Sequence, residues 1–278
     1  MLYYMGSLDM MLRRFDPARR ELTAAAELFE DAGEDHDIAM VTRNIAYIDR
    51  LSGRLADAAR GYAQALAIFQ RVGDRVGEAC VMEYEAQVEL ERNEPGKAMQ
   101  LLLDALDVCR SAGARRIEQL VLKRLGEAWL LTGDLANAVE AFELALALTR
   151  DLGDPIAEAY AQHGIGVARV RQGELGQARR ALQGALELAG GVGERLAEGR
   201  ALAGLSELAL ASGDRAQAIE HAQLALAIFR ELGMPFDEAR ALSLVSDANA
   251  VLGDAEPARR TEAEAAVHGN VRQDQQTS

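Results

Sequence analysis

The chain has 278 residues, 49% apolar, 27% charged and 5% aromatic, with a formal net charge of −14 from 30 Lys+Arg against 44 Asp+Glu. Such a chain can bury a large aliphatic core and is poor in aromatic strand formers, while its acidity disfavours nucleic acid or an anionic membrane as a direct partner. Two cysteines, Cys80 and Cys109, are too few for a disulfide framework or a zinc site, and no apolar run reaches the length of a membrane span, so a reducing cytoplasm is the expected compartment.

Taken from the N-terminus, the first segment runs to a break at Arg13-Arg14-Phe15 and the second to Gly33. Both breaks then recur every 40 residues without insertion or deletion. One series continues as Gly53-Arg54-Leu55, Asn93-Glu94-Pro95, Gly133-Asp134-Leu135, Gly173-Glu174-Leu175, Gly213-Asp214-Arg215 and Gly253-Asp254-Ala255. The other continues as Gly73, Gly113, Gly153, Gly193 and Gly233. Two breaks per period mean two helices per unit, each stopping where a left-handed residue ends a helix. The intervening segments predict helices of roughly 17 residues, each with an apolar stripe at helical spacing, such as Leu135, Ala138, Val139, Phe142 and Ala145. Neither helix of a pair can bury that stripe alone, so the units must stack.

Small residues hold fixed places in this clock. Ala18, Ala58, Ala98, Ala138, Ala178, Ala218 and Ala258 share one position, and Ala25, Ala65, Ala105, Ala145, Ala185, Ala225 and Ala265 another. In each first helix, Gly6, Ala46, Ala86, Gly126, Gly166, Ser206 and Ser246 supply a third. This pattern resembles the tetratricopeptide repeat (TPR) over nearly the whole chain. The resemblance implies an all-α, right-handed α-solenoid of about seven helix pairs. The repeats are expected at about 1–33, 34–73, 74–113, 114–153, 154–193, 194–233 and 234–266, followed by a disordered tail over 267–278. The unit is longer than the family's usual ~34 residues, Trp129 is the one Trp at the family position, and Gly replaces the closing Pro. Long repeats with Gly-Asp or Gly-Glu junctions look like the C-terminal repeats of actinobacterial SARP/STAND-type regulators. They also look like those of spindle-orientation adaptors and of Gram-positive pheromone receptors.

What the resemblance implies about binding is a concave groove lined by the first helices. Transferred to this chain, the groove positions hold Arg43, Asn44, Tyr47 and Arg50; Glu83, Tyr84, Gln87 and Glu91; Lys123, Arg124 and Glu127; Tyr160, His163 and Arg171; Arg200 and Glu207; Arg240 and Asp247, and the first unit adds Tyr3 and Tyr4. Tyr and Arg are enriched in binding hot spots. These positions carry seven cations and five carboxylates, or +2 against −16 for the rest. A protein or peptide segment bearing carboxylates is the expected partner, with Asn44 and Arg124 holding its backbone or carboxylate. The bland reading is that these are half-buried positions where Tyr and Arg are simply comfortable.

The third unit departs from its siblings. Glu85 stands where the others have Met5, Ile45, Leu125, Ile165, Leu205 and Val245, and Glu89 follows one turn later. Either these make a polar slot in the groove that recruits Arg43 or Arg124, or the helix rotates and Glu85 reaches water.

Catalysis finds no foothold. His36, His163, His221 and His268 lie in different units without metal spacing, and Gly190-Gly191-Val192-Gly193 lacks the Lys-Ser/Thr of a phosphate loop. No enzyme activity and no cofactor is expected. Residue 1 enters within the first helix, so Tyr3, Tyr4, Met10 and Met11 should be exposed unless a preceding segment, a partner or a second copy covers them; self-association through this uncapped end follows from the last case. At the other end, Arg259, Arg260, Glu262 and Glu264 read as a polar cap. The functional expectation is a non-catalytic binding module, scaffold or sensor, in a bacterial regulatory system. The alternative is the regulatory C-terminal part of a transcriptional regulator whose DNA-binding and NTPase regions lie elsewhere.

Overall fold

The computed structural model describes residues 1–249, all helices and short turns. In chain order these are α1 (Leu2–Met11), α2 (Phe15–Ala32), α3 (Asp35–Leu51), α4 (Leu55–Val72), α5 (Arg75–Glu91), α6 (Pro95–Ala112), α7 (Arg115–Thr132), α8 (Leu135–Leu152), α9 (Pro155–Arg171), α10 (Leu175–Val192), α11 (Arg195–Ala211) and α12 (Arg215–Leu232). A further helix, α13, occupies 235–249. The expected second helix of the seventh unit, its polar end at Arg259 to Glu264 and the tail over 267–278 lie outside the described residues.

Every break between these helices contains one residue in the left-handed region. Ten of them are glycines, from Gly33 (φ 70°) to Gly233 (φ 63°), and two are not: Arg13 (φ 58°) and Asn93 (φ 62°). The turns close by paired hydrogen bonds, as where Gly33 N–H donates to Glu30 at 3.1 Å and Glu34 N–H to Phe29 at 2.9 Å, which satisfies carbonyls the helix leaves open. The Gly-Asp junctions serve both neighbours: Gly73 ends α4, and the Asp74 carboxylate caps α5 by accepting from Gly77 N–H at 2.9 Å.

The described residues fall into two compact units, 1–154 and from Pro155 onward. In the first, each helix packs on the next, and first helices also touch first helices, α1 on α3, α3 on α5 and α5 on α7. No pair of second helices does so among the described residues. First helices therefore form the tighter, inner layer of a stack. In the second unit, α9 to α12 repeat this arrangement, with α9 touching α11.

Small residues make the close approach possible. Ala18, Ala58, Ala98, Ala138, Ala178 and Ala218 are all at 0% exposure. At Gly126 a Cβ would lie 2.7 Å from the Phe142 ring, so the glycine is the space into which that ring fits. Ion pairs bridge one repeat to the next: Asp49, buried at the end of α3, pairs with Arg19 of α2 and accepts from Arg54 Nη2 at 2.9 Å.

Repeat 3 resolves differently from the groove-slot reading. Glu89 is buried and accepts from Arg92 Nη1 at 2.8 Å. Glu85 is half-buried, its carboxyl held above the ordinary value by burial first and Glu89 second, against the pull of Arg92. The cation recruited is thus Arg92 at the end of the same helix. Arg43 is engaged with Asn44, and Arg124 with Glu83 and Glu127.

Candidate functional site

In the first unit, three expected groove residues, Asn44, Tyr47 and Tyr84, line one cavity of about 420 Å³ with Met10, Met11, Arg13 and Leu51. This size lies within the usual range of ligand pockets. α3 and α5 place the two tyrosines side by side, Tyr84 edge-on to Tyr47 with ring centres 5.6 Å apart. Behind them Tyr62, fully buried on α4, stacks on Tyr84 at 5.8 Å. The Arg50 guanidinium lies 5.3 Å from the Tyr47 ring centre and donates to Glu91 at 2.5 Å. Burial pushes the Tyr84 phenol up to about 12, so it stays a neutral donor.

The remaining groove residues of this unit form a polar network. Arg124 donates from Nε to Glu83 at 2.7 Å and from Nη1 to Glu127 at 2.9 Å, while Lys123 reaches Glu127 at 3.4 Å and Gln87 donates to the same Glu83 at 2.8 Å. Arg43 is held by the Asn44 amide oxygen, 3.2 Å from Nη2. Asn44 itself is buried. The surplus of groove cations counted along the chain is therefore largely matched by neighbouring carboxylates.

Arg13 is the exception at the cavity. It is exposed, its guanidinium sits 6.0 Å from the Phe15 ring centre, and it pairs with no carboxylate among the described residues. Neither Arg13 nor the Met10–Leu51 wall figured among the groove positions transferred from the family. The signal was present, since Arg13 occupies a turn position that holds Gly or Asn in the other units.

In the second unit, Tyr160 of α9 donates to Glu194 at 3.1 Å and lies 5.8 Å from the Arg200 guanidinium, which donates to Asp237 at 3.0 Å. Burial, and then Glu194, pushes the Tyr160 phenol up to about 12. Arg240 pairs with Glu207 at 2.5 Å. His163 lies beside Gly204, and Arg171 is exposed at the last residue of α9.

Burial raises the Cys80 thiol and pushes Cys109 up to about 12, which disfavours the thiolate form of both. Among the described residues no three His, Cys, Asp or Glu side chains converge as a metal site, and no helix is long and apolar enough to cross a membrane.

Comparison with known proteins adds the following. Solved structures of similar fold include a Rap protein complexed with competence and sporulation factor, at a TM-score of 0.66 and 15% identity over 91% of this chain and 75% of that one. The apo form of RapI matches at 0.68 and 11% identity, covering 91% and 98%. A signal transduction ATPase with numerous domains (STAND), with a tetratricopeptide repeat sensor, from Pyrococcus horikoshii, matches at 0.70 and 15% identity, covering 93% of this chain but 43% of that protein. These likenesses concern the fold. No curated protein matches in sequence. The tetratricopeptide repeat model, however, matches residues 37–111 and 157–231, more than half of the 278. The chain is thus an all-α repeat solenoid and belongs to the tetratricopeptide repeat family.

Proposed function

We propose that this protein-interaction module is non-catalytic and holds a peptide segment in the groove of its first unit, as a sensor or scaffold of a bacterial, cytoplasmic regulatory system. The observation that carries the reading is the cavity itself: Tyr47, Tyr84, Met10 and Leu51 offer an apolar seat, with Arg13 on its wall and Arg43 next to it. An apolar or aromatic side chain fills the seat, and a carboxylate of the same segment meets Arg13. Arg124, Lys123, Glu127 and Gln87 lie further along and hold the backbone by exchanging bonds within their network. The second unit's Tyr160, His163, Arg171 and Arg200 make up that unit's own partner-binding face in this reading. The Rap structure in complex with its competence and sporulation factor supports such a ligand by analogy of fold.

The test is capture of displayed peptides with free carboxyl ends by the parent and by Tyr47→Ala with Arg13→Gly. Equal capture by both, with helicity unchanged, overturns the reading. Self-association through α1, where Tyr4 is 75% and Met11 78% exposed while Tyr3 and Met10 are half-buried, belongs to the same proposal. Sedimentation of Tyr4→Glu against the parent checks it.

A second reading is favoured by the STAND neighbour with its repeat sensor. In it the chain is the regulatory C-terminal part of a transcriptional regulator, and its repeats restrain an NTPase or DNA-binding region. An in-frame nucleotide-binding module encoded upstream supports it; a stop codon and ribosome site there exclude it.

A further inference from the structure

A second cavity, of about 240 Å³, opens on the other side of α7, between the second helices α6 and α8. Leu103 and Leu106 of α6, Trp129 of α7 and Leu144 of α8 give it an apolar wall, and Arg110 and Glu140 stand at its edge. Lys123, Arg124 and Glu127, the groove residues of the same helix, are not part of it. The space is smaller than the ~300 Å³ at which small-molecule pockets begin, and suits one large side chain.

Stacking alone does not call for this opening, because the same place one repeat earlier is built from other residues. Forty positions back, Ala63 stands for Leu103, Glu85 for Leu125, Glu89 for Trp129 and Asp104 for Leu144. Around α7 all four are large and apolar, and two of them remain substantially in water, Leu103 at 41% and Leu144 at 43% exposure. Large apolar surface kept exposed around a concavity, with the chain's one Trp in its wall, is what a docking site presents.

Charge identifies the occupant. Two charged residues line the opening, Arg110 and Glu140. Arg110 is tied to Glu118 at 3.0 Å, whereas Glu140 is exposed and makes no ion pair among the described residues. The rim therefore favours positive charge. We propose that this slot docks a basic segment of a partner protein, which inserts one Leu, Met or Phe side chain between Leu103, Trp129 and Leu144 and sets a Lys or Arg against Glu140. It works apart from the groove, so the two sites can hold different segments at once.

The probe is a displayed library of random twelve-residue segments, selected on the full chain in parallel with Leu144→Glu, which alters an exposed side chain and leaves the fold intact. Segments combining a large apolar residue with Lys or Arg should be enriched on the parent only. Their synthetic forms should shift Trp129 emission saturably, bind Leu144→Glu about tenfold or more weakly, and bind Tyr47→Ala as tightly as the parent. Equal enrichment on parent and Leu144→Glu, or enrichment of acidic segments, overturns the proposal. A concentration-dependent Trp129 shift without any peptide, abolished by Leu144→Glu, would assign the slot to a second copy of this chain and overturn it too. Loss of the selected segments in Tyr47→Ala with retention in Leu144→Glu would credit the groove and reject the slot.

Discussion

Tyr47 and Tyr84, on first helices of successive repeats, meet edge to face with ring centres 5.6 Å apart. Such pairs contribute about 0.5–1.5 kcal/mol beyond their burial. Tyr47→Ala and Tyr84→Ala should therefore destabilise the first unit less in combination than the sum of the two, by that amount in a double-mutant cycle. Denaturant unfolding of the four proteins measures it, and strict additivity would mean the rings support the cavity without supporting each other.

Arg13 adopts a left-handed conformation that costs a residue with a Cβ roughly 1–2 kcal/mol. Arg13→Gly should raise the unfolding midpoint while weakening capture of carboxylate-ended peptides. Asn93→Gly should gain less, because Asn tolerates this conformation. A variant that is more stable and binds less cannot owe the binding loss to misfolding.

Gly126 faces Phe142 so closely that a methyl group would meet the ring at 2.7 Å. Gly126→Ala should cost about 1–3 kcal/mol, the usual range for overpacking. Adding Phe142→Leu should recover part of the loss, which thermal scans of the single and double variants will read directly.

Burial and Glu89 hold the Glu85 carboxyl above its ordinary value. A group whose proton binds more tightly in the folded state contributes its stability below the ordinary carboxylate pKa, near 4.3, and loses it as pH rises through the folded value. Glu85→Gln should accordingly be more stable than the parent at pH 7, with the gap closing as pH falls towards 4. Paired unfolding curves across that window test the sign, and a gap that widens on acidification would contradict it.

The 40-residue period, the paired breaks and the alanine positions were legible because each rests on local chemistry: a left-handed stop, a small side chain at a crossing, an apolar stripe. Ion pairing was not. Arg50 finds Glu91, Arg124 finds Glu83, and Arg240 finds Glu207, partners 33 to 41 residues away. A face with a balance of +2 does not reveal which of its charges cancel. Along the chain Arg13 is one more tick of the clock, although its departure from Gly is what sets a cation on the cavity wall. Glu85 stands out as foreign, but a single position does not tell which side of the helix pair it serves.

The unbroken repeat length gives the inner layer of the first unit a sense of direction. At one fixed place, successive first helices present Tyr47, Gln87 and Glu127, an aromatic ring, a neutral amide and a carboxylate. A segment laid along α3, α5 and α7 passes from an apolar seat beside Arg13 to the ion-paired cluster of Lys123, Arg124 and Glu127 within one stack. Its two ends are thereby told apart: the end with an apolar residue and a carboxylate belongs at α1, and a polar end that exchanges bonds with a paired network belongs at α7. Reversal would set the apolar residue against the paired charges and leave the seat at α1 unfilled.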